Sequence, residues 1–214
     1  MSRGRFIVLE GLDGAGTTTQ TARLVAALRA QGRLARGTRE PSDGPIGTMI
    51  RQVLSGRFVL PGGRAPGWAT MALLFAADRL DHVEAEIAPV LERGGVIVSD
   101  RYDASSLAYQ SVTSSREGAV EFIRTANGQA LRPDVIVVVN VPADEAARRR
   151  ESRGEAAQLY EQSEVQRALA AFYTDLPAHM PNDRVALVDG VGTEDEVHAR
   201  IVAAIEATCG WPEA

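Results

Sequence analysis

Residues 11–18, near the start of the chain, have the types and spacing of a loop that binds phosphate. They fit the pattern G-x-x-x-x-G-K-[ST], except that Thr17 stands where the lysine belongs. Glycines in such a loop let backbone N–H groups converge on phosphate oxygens, and the start of the following helix adds favourable charge. The Thr18 hydroxyl is expected to bind Mg²⁺. The residues predicted to bind phosphate are Gly11, Asp13, Gly14, Ala15, Gly16, Thr17, Thr18 and Thr19.

Thr17 changes the chemistry expected of this loop, because the lysine normally reaches the β- and γ-phosphates. Threonine is too short to do so and carries no charge. Removing one preorganised donor from a reacting group costs about 10²–10³ in rate. The chain contains no lysine at all, since its 23 basic residues are all arginine. Either an arginine from elsewhere takes over, or the reaction is slow, or the protein does not catalyse.

The spacing alone does not establish this loop, since about two glycine pairs at this distance are expected by chance. A plain glycine-rich turn, with Thr17 capping a helix, fits the residues equally well. The neighbouring residues favour phosphate binding. Residues 6–9 are an apolar strand-like run directly before the loop, and residues 18–30 have helical spacing of apolar side chains directly after it.

The elements that must position this loop alternate along the chain. Strands are predicted at 6–9, 34–38, 96–100, 135–141 and 185–188, and helices at 18–30, 46–54, 68–92, 114–128, 143–152, 159–179 and 194–208. Pro89 is expected to kink or break the long 68–92 helix. Continuous apolar strands alternating with helices predict one α/β domain, with a doubly wound, five-stranded parallel sheet and helices on both faces. Ligands then lie beyond the C-terminal ends of the strands.

Composition excludes several classes of protein. A net charge of −5 argues against binding of nucleic-acid polymers. The single cysteine, Cys209, cannot form an internal disulfide, which suits a reducing compartment. No apolar run approaches the roughly 20 residues needed to cross a bilayer. The start of the chain is strand-like rather than a signal peptide, so we expect a cytoplasmic protein without a membrane partner.

Two further groups of residues suggest nucleotide chemistry. Asp100 ends an apolar strand, where a carboxylate can hold Mg²⁺, although it would also fit a helix N-cap. Phe75 and Arg79 are four residues apart and share one helix face. The ring can stack on a base while the guanidinium bonds the edge of that base. A core phenylalanine beside a surface arginine is the alternative.

The chain resembles bacterial thymidylate kinases from end to end. The resemblance implies a P-loop NTPase fold with a short lid at about 148–160. It also implies transfer of the ATP γ-phosphate to dTMP, giving dTDP, with Mg²⁺ and in a homodimer. The matching segments are residues 6–16, 18–20, 38–41, 73–79, 100–102, 105–110 and 132–134.

The resemblance assigns roles to individual residues. Without it, Asp13 also fits a turn residue and Arg39 a solvated loop arginine, while Ser106 and Gln110 fit an ordinary helix surface. The family places a tyrosine, here Tyr109, beside the sugar, where it disfavours ribose. The implied catalytic residues are Asp13, Arg101, Arg149 and Arg153. The implied acceptor-binding residues are Arg39, Phe75, Arg79, Arg101, Ser106, Tyr109 and Gln110, and the implied metal-binding residues are Thr18 and Asp100.

The lid also departs from the family pattern. After Arg153 and Gly154 the chain continues with residues 155–161 and lacks the Asp-Arg pair common there. A solvated basic helix end is an alternative for at least two of the four arginines at 148, 149, 150 and 153.

These observations leave three functions open. The first is a dTMP kinase in which a lid arginine supplies part of the missing charge. The second is a weak or inactive paralogue that binds a nucleotide as a sensor or partner. The third, a kinase for another nucleoside monophosphate, is disfavoured by Phe75, Arg79 and Tyr109.

Overall fold

The computed structural model describes residues 4–114, 116–153 and 163–211. Its five strands form one parallel sheet in the order β2-β3-β1-β4-β5, which confirms the predicted sheet. The strands are β1 (Arg5–Glu10), β2 (Ala35–Arg39), β3 (Val96–Asp100), β4 (Val135–Asn140) and β5 (Val185–Asp189).

Ten α-helices among the described residues surround this sheet. On one side α1 and α10 pack against each other and the sheet; elsewhere α5 contacts α3, α6 and α8, and α8 reaches β4. None of these helices combines the length and apolar character needed to cross a bilayer. They are α1 (Thr17–Ala30), α2 (Pro45–Leu54), α3 (Trp68–His82), α4 (Ala88–Glu92), α5 (Asp103–Thr113), α6 (Ala119–Ala126), α7 (Ala143–Arg153), α8 (Ser163–Thr174), α9 (Leu176–His179) and α10 (Glu194–Thr208).

The long helix predicted at 68–92 is divided, as Pro89 suggested. A π-helical turn, Val83–Ile87, separates α3 from α4, and Pro89 lies in the first turn of α4. Proline has no N–H to donate and is tolerated only in the first turn of a helix. The chain therefore changes its hydrogen-bonding pattern immediately before this residue.

Two other helix predictions were partly wrong. The helix expected at 114–128 begins only at Ala119, because Gly118 has a left-handed conformation with φ of 80°. The preceding α5 was not delimited in the sequence. The helix expected at 159–179 is α8 followed by the short α9, which has Pro177 in its first turn. Residues 159–162 lie outside the described part of the chain.

The core positions the C-terminal edge of the sheet. The apolar residues of β1, β3 and β4 are buried, so these strands are covered on both faces. In the parallel register Leu9 lies beside Asp100, and Asp100 lies beside Arg39. The ends of β1, β2 and β3 therefore bring their polar residues to one edge, where residues 11–18 also begin.

Candidate active site

Residues 11–18, which we call the phosphate loop, turn sharply from β1 into α1. Gly14 and Gly16 have φ of 95° and 94°, a region that glycine adopts readily. A Cβ on Gly14 would lie 2.4 Å from the Ala146 carbonyl oxygen, so α7 leaves no room for a side chain there. Thr17 is the first residue of α1, and Gly16, without a side-chain hydrogen bond, occupies the N-cap. The reading of Thr17 as a helix cap is therefore wrong.

A cavity of about 410 Å³ opens beside the phosphate loop. We call it the loop cavity. Arg149 lines it and is held by two contacts, from Nε to Glu145 Oε1 at 2.8 Å and from Nη2 to the Gly190 carbonyl at 3.2 Å. The loop therefore borders an open hollow with a guanidinium at its wall. The lining residues are Gly14, Ala15, Gly16, Thr19, Gln20, Glu145, Arg149, Ser152, Gly190, Gly192, Glu194 and Val197.

Thr18 and Asp100 meet at the start of α1. The Thr18 hydroxyl donates to Asp100 Oδ2 at 2.5 Å. The other carboxylate oxygen, Oδ1, is buried without a hydrogen-bond partner among the described residues. A buried carboxylate oxygen left unpaired beside a hydroxyl is the oxygen-rich environment that Mg²⁺ prefers. The two residues therefore fit a magnesium ion.

A second pocket, the Phe75 pocket, lies between α3 and α5. Phe75 is half-buried and lines this pocket, so its ring is not sealed in the core. Arg79, on the same face of α3, is 1% exposed. The alternative of a surface arginine is therefore wrong. The residues that line the pocket are Asp13, Glu40, Pro41, Leu54, Phe75, Arg79, Arg101, Tyr102, Ser105, Ser106, Tyr109 and Gln110.

Arg79 is held rigidly at the wall of the Phe75 pocket. Its Nη2 donates to Glu40 Oε2 at 2.6 Å and to Ser106 Oγ at 3.1 Å, and its Nη1 donates to Asn127 Oδ1. Its guanidinium carbon lies 5.0 Å from the centre of the Tyr102 ring. These contacts leave Nε without a partner among the described residues.

Gln110 offers a complementary group in the same pocket. Its side-chain Oε1 is buried and has no hydrogen-bond partner in the described structure. Two residues that line the pocket thus carry buried, unsatisfied polar atoms, a donor on Arg79 and an acceptor on Gln110. Buried polar atoms are nearly always paired, so these two unpaired atoms make this wall of the pocket a candidate binding surface.

Asp13 and Arg101 connect the phosphate loop to the Phe75 pocket. Arg101 Nη2 lies 2.5 Å from Asp13 Oδ1, and the Tyr109 hydroxyl donates to Asp13 Oδ2 at 3.0 Å. Burial raises the pKa of Tyr109, which keeps its hydroxyl a neutral donor. Arg101 itself has φ of 73°, a left-handed conformation that is unusual for a residue with a side chain. Arg101 adopts this conformation at the point where its guanidinium contacts Asp13 of the phosphate loop.

Glu10 was not singled out in the sequence. It is fully buried, and Oε1 accepts from the backbone N–H groups of Tyr102 and Ser105 at 2.9 and 3.1 Å. Oε2 accepts from Ser105 Oγ at 2.6 Å and from the Tyr173 hydroxyl at 3.0 Å. Burial raises the pKa of Glu10 to about 7, although the Arg101 charge opposes this shift. Glu10 therefore fixes the turn that carries Arg101.

Glu40 and His82 were also missed. Glu40 pairs with Arg79, and its Oε1 lies 3.3 Å from His82 Nδ1. His82 Nε2 lies 2.6 Å from Thr38 Oγ1, so the histidine is buried between β2 and the pocket. The signal that identified Asp100, a carboxylate at the end of a strand, applies equally to Glu10 and Glu40. No comparable signal distinguishes His82.

The remaining predicted residues are placed differently. Arg39 is 58% exposed in its side chain and pairs with Asp43 at 2.8 Å, outside the Phe75 pocket. Ser106 lines the pocket. Arg150, to which no individual role was given, donates to the Asp13 carbonyl of the phosphate loop. The Arg153 side chain and lid residues 154–160 lie outside the described residues.

The comparisons with known proteins agree with this geometry. A family model described as thymidylate kinase matches residues 9–201. A probable thymidylate kinase of Pyrococcus abyssi is 37% identical over 204 residues, covering 95% of this chain and 97% of the relative. A thymidylate kinase of Deinococcus radiodurans is 37% identical over 212 residues, covering 96% and 98%. The solved thymidylate kinase from Candida albicans shares the fold, with a TM-score of 0.79, 23% identity and coverage of 97% and 93%. This chain belongs to the thymidylate kinase family.

Proposed function

We propose that this chain transfers the γ-phosphate of ATP to dTMP and so forms dTDP. One observation carries the proposal: the Asp13–Arg101 ion pair links the phosphate loop to the Phe75 pocket. A phosphoryl transfer enzyme needs the donor chain and the acceptor phosphate to meet at one point. We assign that point to Arg101, which lines the Phe75 pocket and contacts Asp13 of the phosphate loop.

The Phe75 pocket suits thymine by its pattern of donors and acceptors. The Phe75 ring offers a stacking surface, while Arg79 Nε is an unsatisfied donor and Gln110 Oε1 an unsatisfied acceptor. Thymine presents a carbonyl acceptor, O4, beside an N–H donor at N3. Cytosine presents an amino donor beside an acceptor nitrogen, which reverses this pattern. The pocket therefore favours thymine over cytosine.

The sugar and phosphate of dTMP then extend toward Tyr109 and Arg101. Tyr109 is fixed by its hydrogen bond to Asp13, and it would crowd a 2′-hydroxyl. Arg39 is proposed to bind the acceptor phosphate. To do so it exchanges its contact with Asp43, an exposed ion pair of the kind that contributes little stability.

The donor phosphates lie along the phosphate loop, with the nucleoside in the loop cavity. Backbone N–H groups of the loop bind the phosphate oxygens, and Arg149 bounds the cavity that receives the nucleoside. Thr18 and Asp100 would hold Mg²⁺, which when bound neutralises charge on the phosphates. Asp13 holds Arg101 in place, and Glu10 holds the turn that presents it. Catalysis here is mainly positioning and charge stabilisation.

The chain is proposed to act as a homodimer in the cytoplasm. Leu73 and Leu80 of α3 are 53% and 43% exposed, and they are seven residues apart on one helix face. Met49 of α2, which packs against α3, is 45% exposed. An apolar surface of this kind is covered when two copies pair.

A coupled assay with ATP, Mg²⁺ and dTMP tests the proposal. We expect dTDP to form, with dCMP a much poorer acceptor and Arg101→Met nearly inactive. Binding of dTMP without turnover would instead support the nucleotide-binding paralogue. Equal turnover of dCMP would contradict the assignment of the Phe75 pocket to thymine.

A further inference from the structure

Arg150 contacts the phosphate loop from the side of α7. It lies on α7 one turn after Ala146, and these two residues are the ones that a Cβ on Gly14 would meet. Arg150 Nη1 donates to the carbonyl oxygen of Asp13, inside the loop. The contact is therefore made to the backbone of the loop, on the side of α7.

That contact determines where an N–H group of the loop points. In a trans peptide the C=O and the next N–H point in opposite directions. Because Arg150 binds the Asp13 carbonyl, the Gly14 N–H is directed away from Arg150. This N–H makes no hydrogen bond to any residue that the structure describes. A guanidinium on the carbonyl also polarises the peptide and makes its N–H a stronger donor.

The charge of Arg150 is not neutralised by a carboxylate in the described structure. Its neighbours Arg148 and Arg149 both pair with Glu145. Arg150 is only 9% exposed, and its other polar contact is to Gln166 Oε1 at 3.5 Å. A buried charge without a counter-ion is costly to the fold. Such a charge is useful where an anionic ligand arrives, and the loop beside it is the proposed site of the phosphates.

We propose that Arg150 is a positioning residue for the donor phosphates. Through the Asp13–Gly14 peptide it aims the Gly14 N–H at the phosphate chain and places a positive charge beneath the loop. That charge compensates for part of the positive charge that is lost because Thr17 replaces lysine. This inference rests on the proposed function, since it requires ATP in the loop.

The test compares Arg150→Met with Arg148→Met, a matched change of the adjacent arginine, whose side chain is 74% exposed. We expect Arg150→Met to lower ATP affinity and kcat/KM for ATP about tenfold, less than the loss of a donor that touches the phosphates directly. KM for dTMP should stay unchanged. Arg150→Lys should recover most of the loss, and Arg148→Met should resemble the original chain.

A second comparison separates this role from a merely structural one. If Arg150 supplies charge that Thr17 lacks, Thr17→Lys should reduce the effect of Arg150→Met. Equal losses in both backgrounds, or equal weakening of ATP and dTMP binding, would overturn the proposal. If Arg150→Met does not fold, Arg150→Gln keeps a donor without the charge and should show the same dependence on residue 17.

The readout also distinguishes this inference from the proposed function. ATP affinity is measured by calorimetry in the absence of dTMP. If the chain binds ATP but forms no dTDP, the proposed function fails, and the effect of Arg150→Met on ATP affinity still decides the inference. If the chain does not bind ATP at all, both are wrong.

Discussion

Arg79 and Glu40 form an ion pair closed off from solvent, with Nη2 2.6 Å from Oε2 and side chains 1% and 2% exposed. The pair joins the end of β2 to α3 and fixes the guanidinium that faces the Phe75 pocket. Arg79 therefore has one orientation available, which suits recognition of a flat ring edge.

Breaking this pair should lower both stability and dTMP affinity. Glu40→Ala leaves a buried guanidinium without its partner, a change that typically costs about 3–5 kcal/mol. Denaturant unfolding measures the loss of stability, and calorimetry with dTMP measures the affinity. The matched control is Asp195→Ala, which removes an exposed partner of Arg23 and should cost at most about 1 kcal/mol. Equal effects of the two changes would contradict the assignment.

Thr17→Lys should increase the rate of dTDP formation. The lysine would add a charged donor at the β- and γ-phosphates, and a donor of this kind is worth up to about 10²–10³ in rate. Because Arg150 is proposed to supply part of that charge already, we expect the gain in rate to lie at the lower end of this range or below it. Steady-state kinetics with ATP and dTMP measure it. No gain would mean that an arginine already replaces the lysine fully or that the donor site has further defects.

Glu10 should make stability fall as pH rises. Its pKa in the folded chain is about 7, against an ordinary value of 4.5, chiefly because burial disfavours the charged carboxylate. The fold therefore binds the proton more tightly than the unfolded chain does. This contribution is fully present below pH 4.5 and is lost as pH rises through 7, and the shift corresponds to about 3 kcal/mol.

Glu10→Gln tests that pH dependence because glutamine does not titrate. Denaturant unfolding of both proteins at about pH 5 and pH 8 gives the difference between them. The free energy of unfolding of the glutamine variant, relative to that of the original chain, should increase as pH rises. A difference independent of pH would show that Glu10 does not change its protonation state in this range.

Leu73→Glu should prevent dimerisation. A charge in the centre of an apolar contact must be buried without a partner, which costs several kcal/mol. Analytical ultracentrifugation measures the oligomeric state, with Leu187→Glu as the control. Leu187, on β5, is exposed to a similar extent, 46% against 53%, but lies outside the α3 face. Dimers that persist in the Leu73 variant, or a monomeric original chain, would contradict the proposed interface.

Much of the fold follows from local signals in the sequence. Four of the five strands are largely apolar runs, β2 being the exception, and each strand was expected within two residues of its observed bounds. Helix ends were harder to predict, because they depend on backbone conformation at single residues such as Gly118. The meeting of Thr18 and Asp100 follows from the rule that parallel strands end at one edge of the sheet. The same rule was sufficient to find Glu10 and Glu40.

Other parts of the site depend on contacts between distant elements. Three consecutive arginines occupy positions 148–150, and composition does not show which of them faces the loop. The small residues Ala143 and Ala146 mark the packed side of α7, and Arg150 lies one turn beyond Ala146 on that side. Helical spacing therefore contained the signal, although the resemblance gave roles to Arg149 and Arg153 and none to Arg150.

The left-handed conformation of Arg101 has a cost in stability and a benefit for the site. Glycine would adopt this conformation freely, whereas a residue with a side chain gives up about 1–2 kcal/mol there. Only arginine, however, brings a guanidinium to Asp13. At position 101 the backbone conformation therefore favours glycine, whereas the ion pair with Asp13 requires arginine. The hydrogen bonds of Glu10 to the adjacent residues must stabilise the turn against this strain. Selection for greater stability alone would remove the residue on which, in the proposed function, turnover depends.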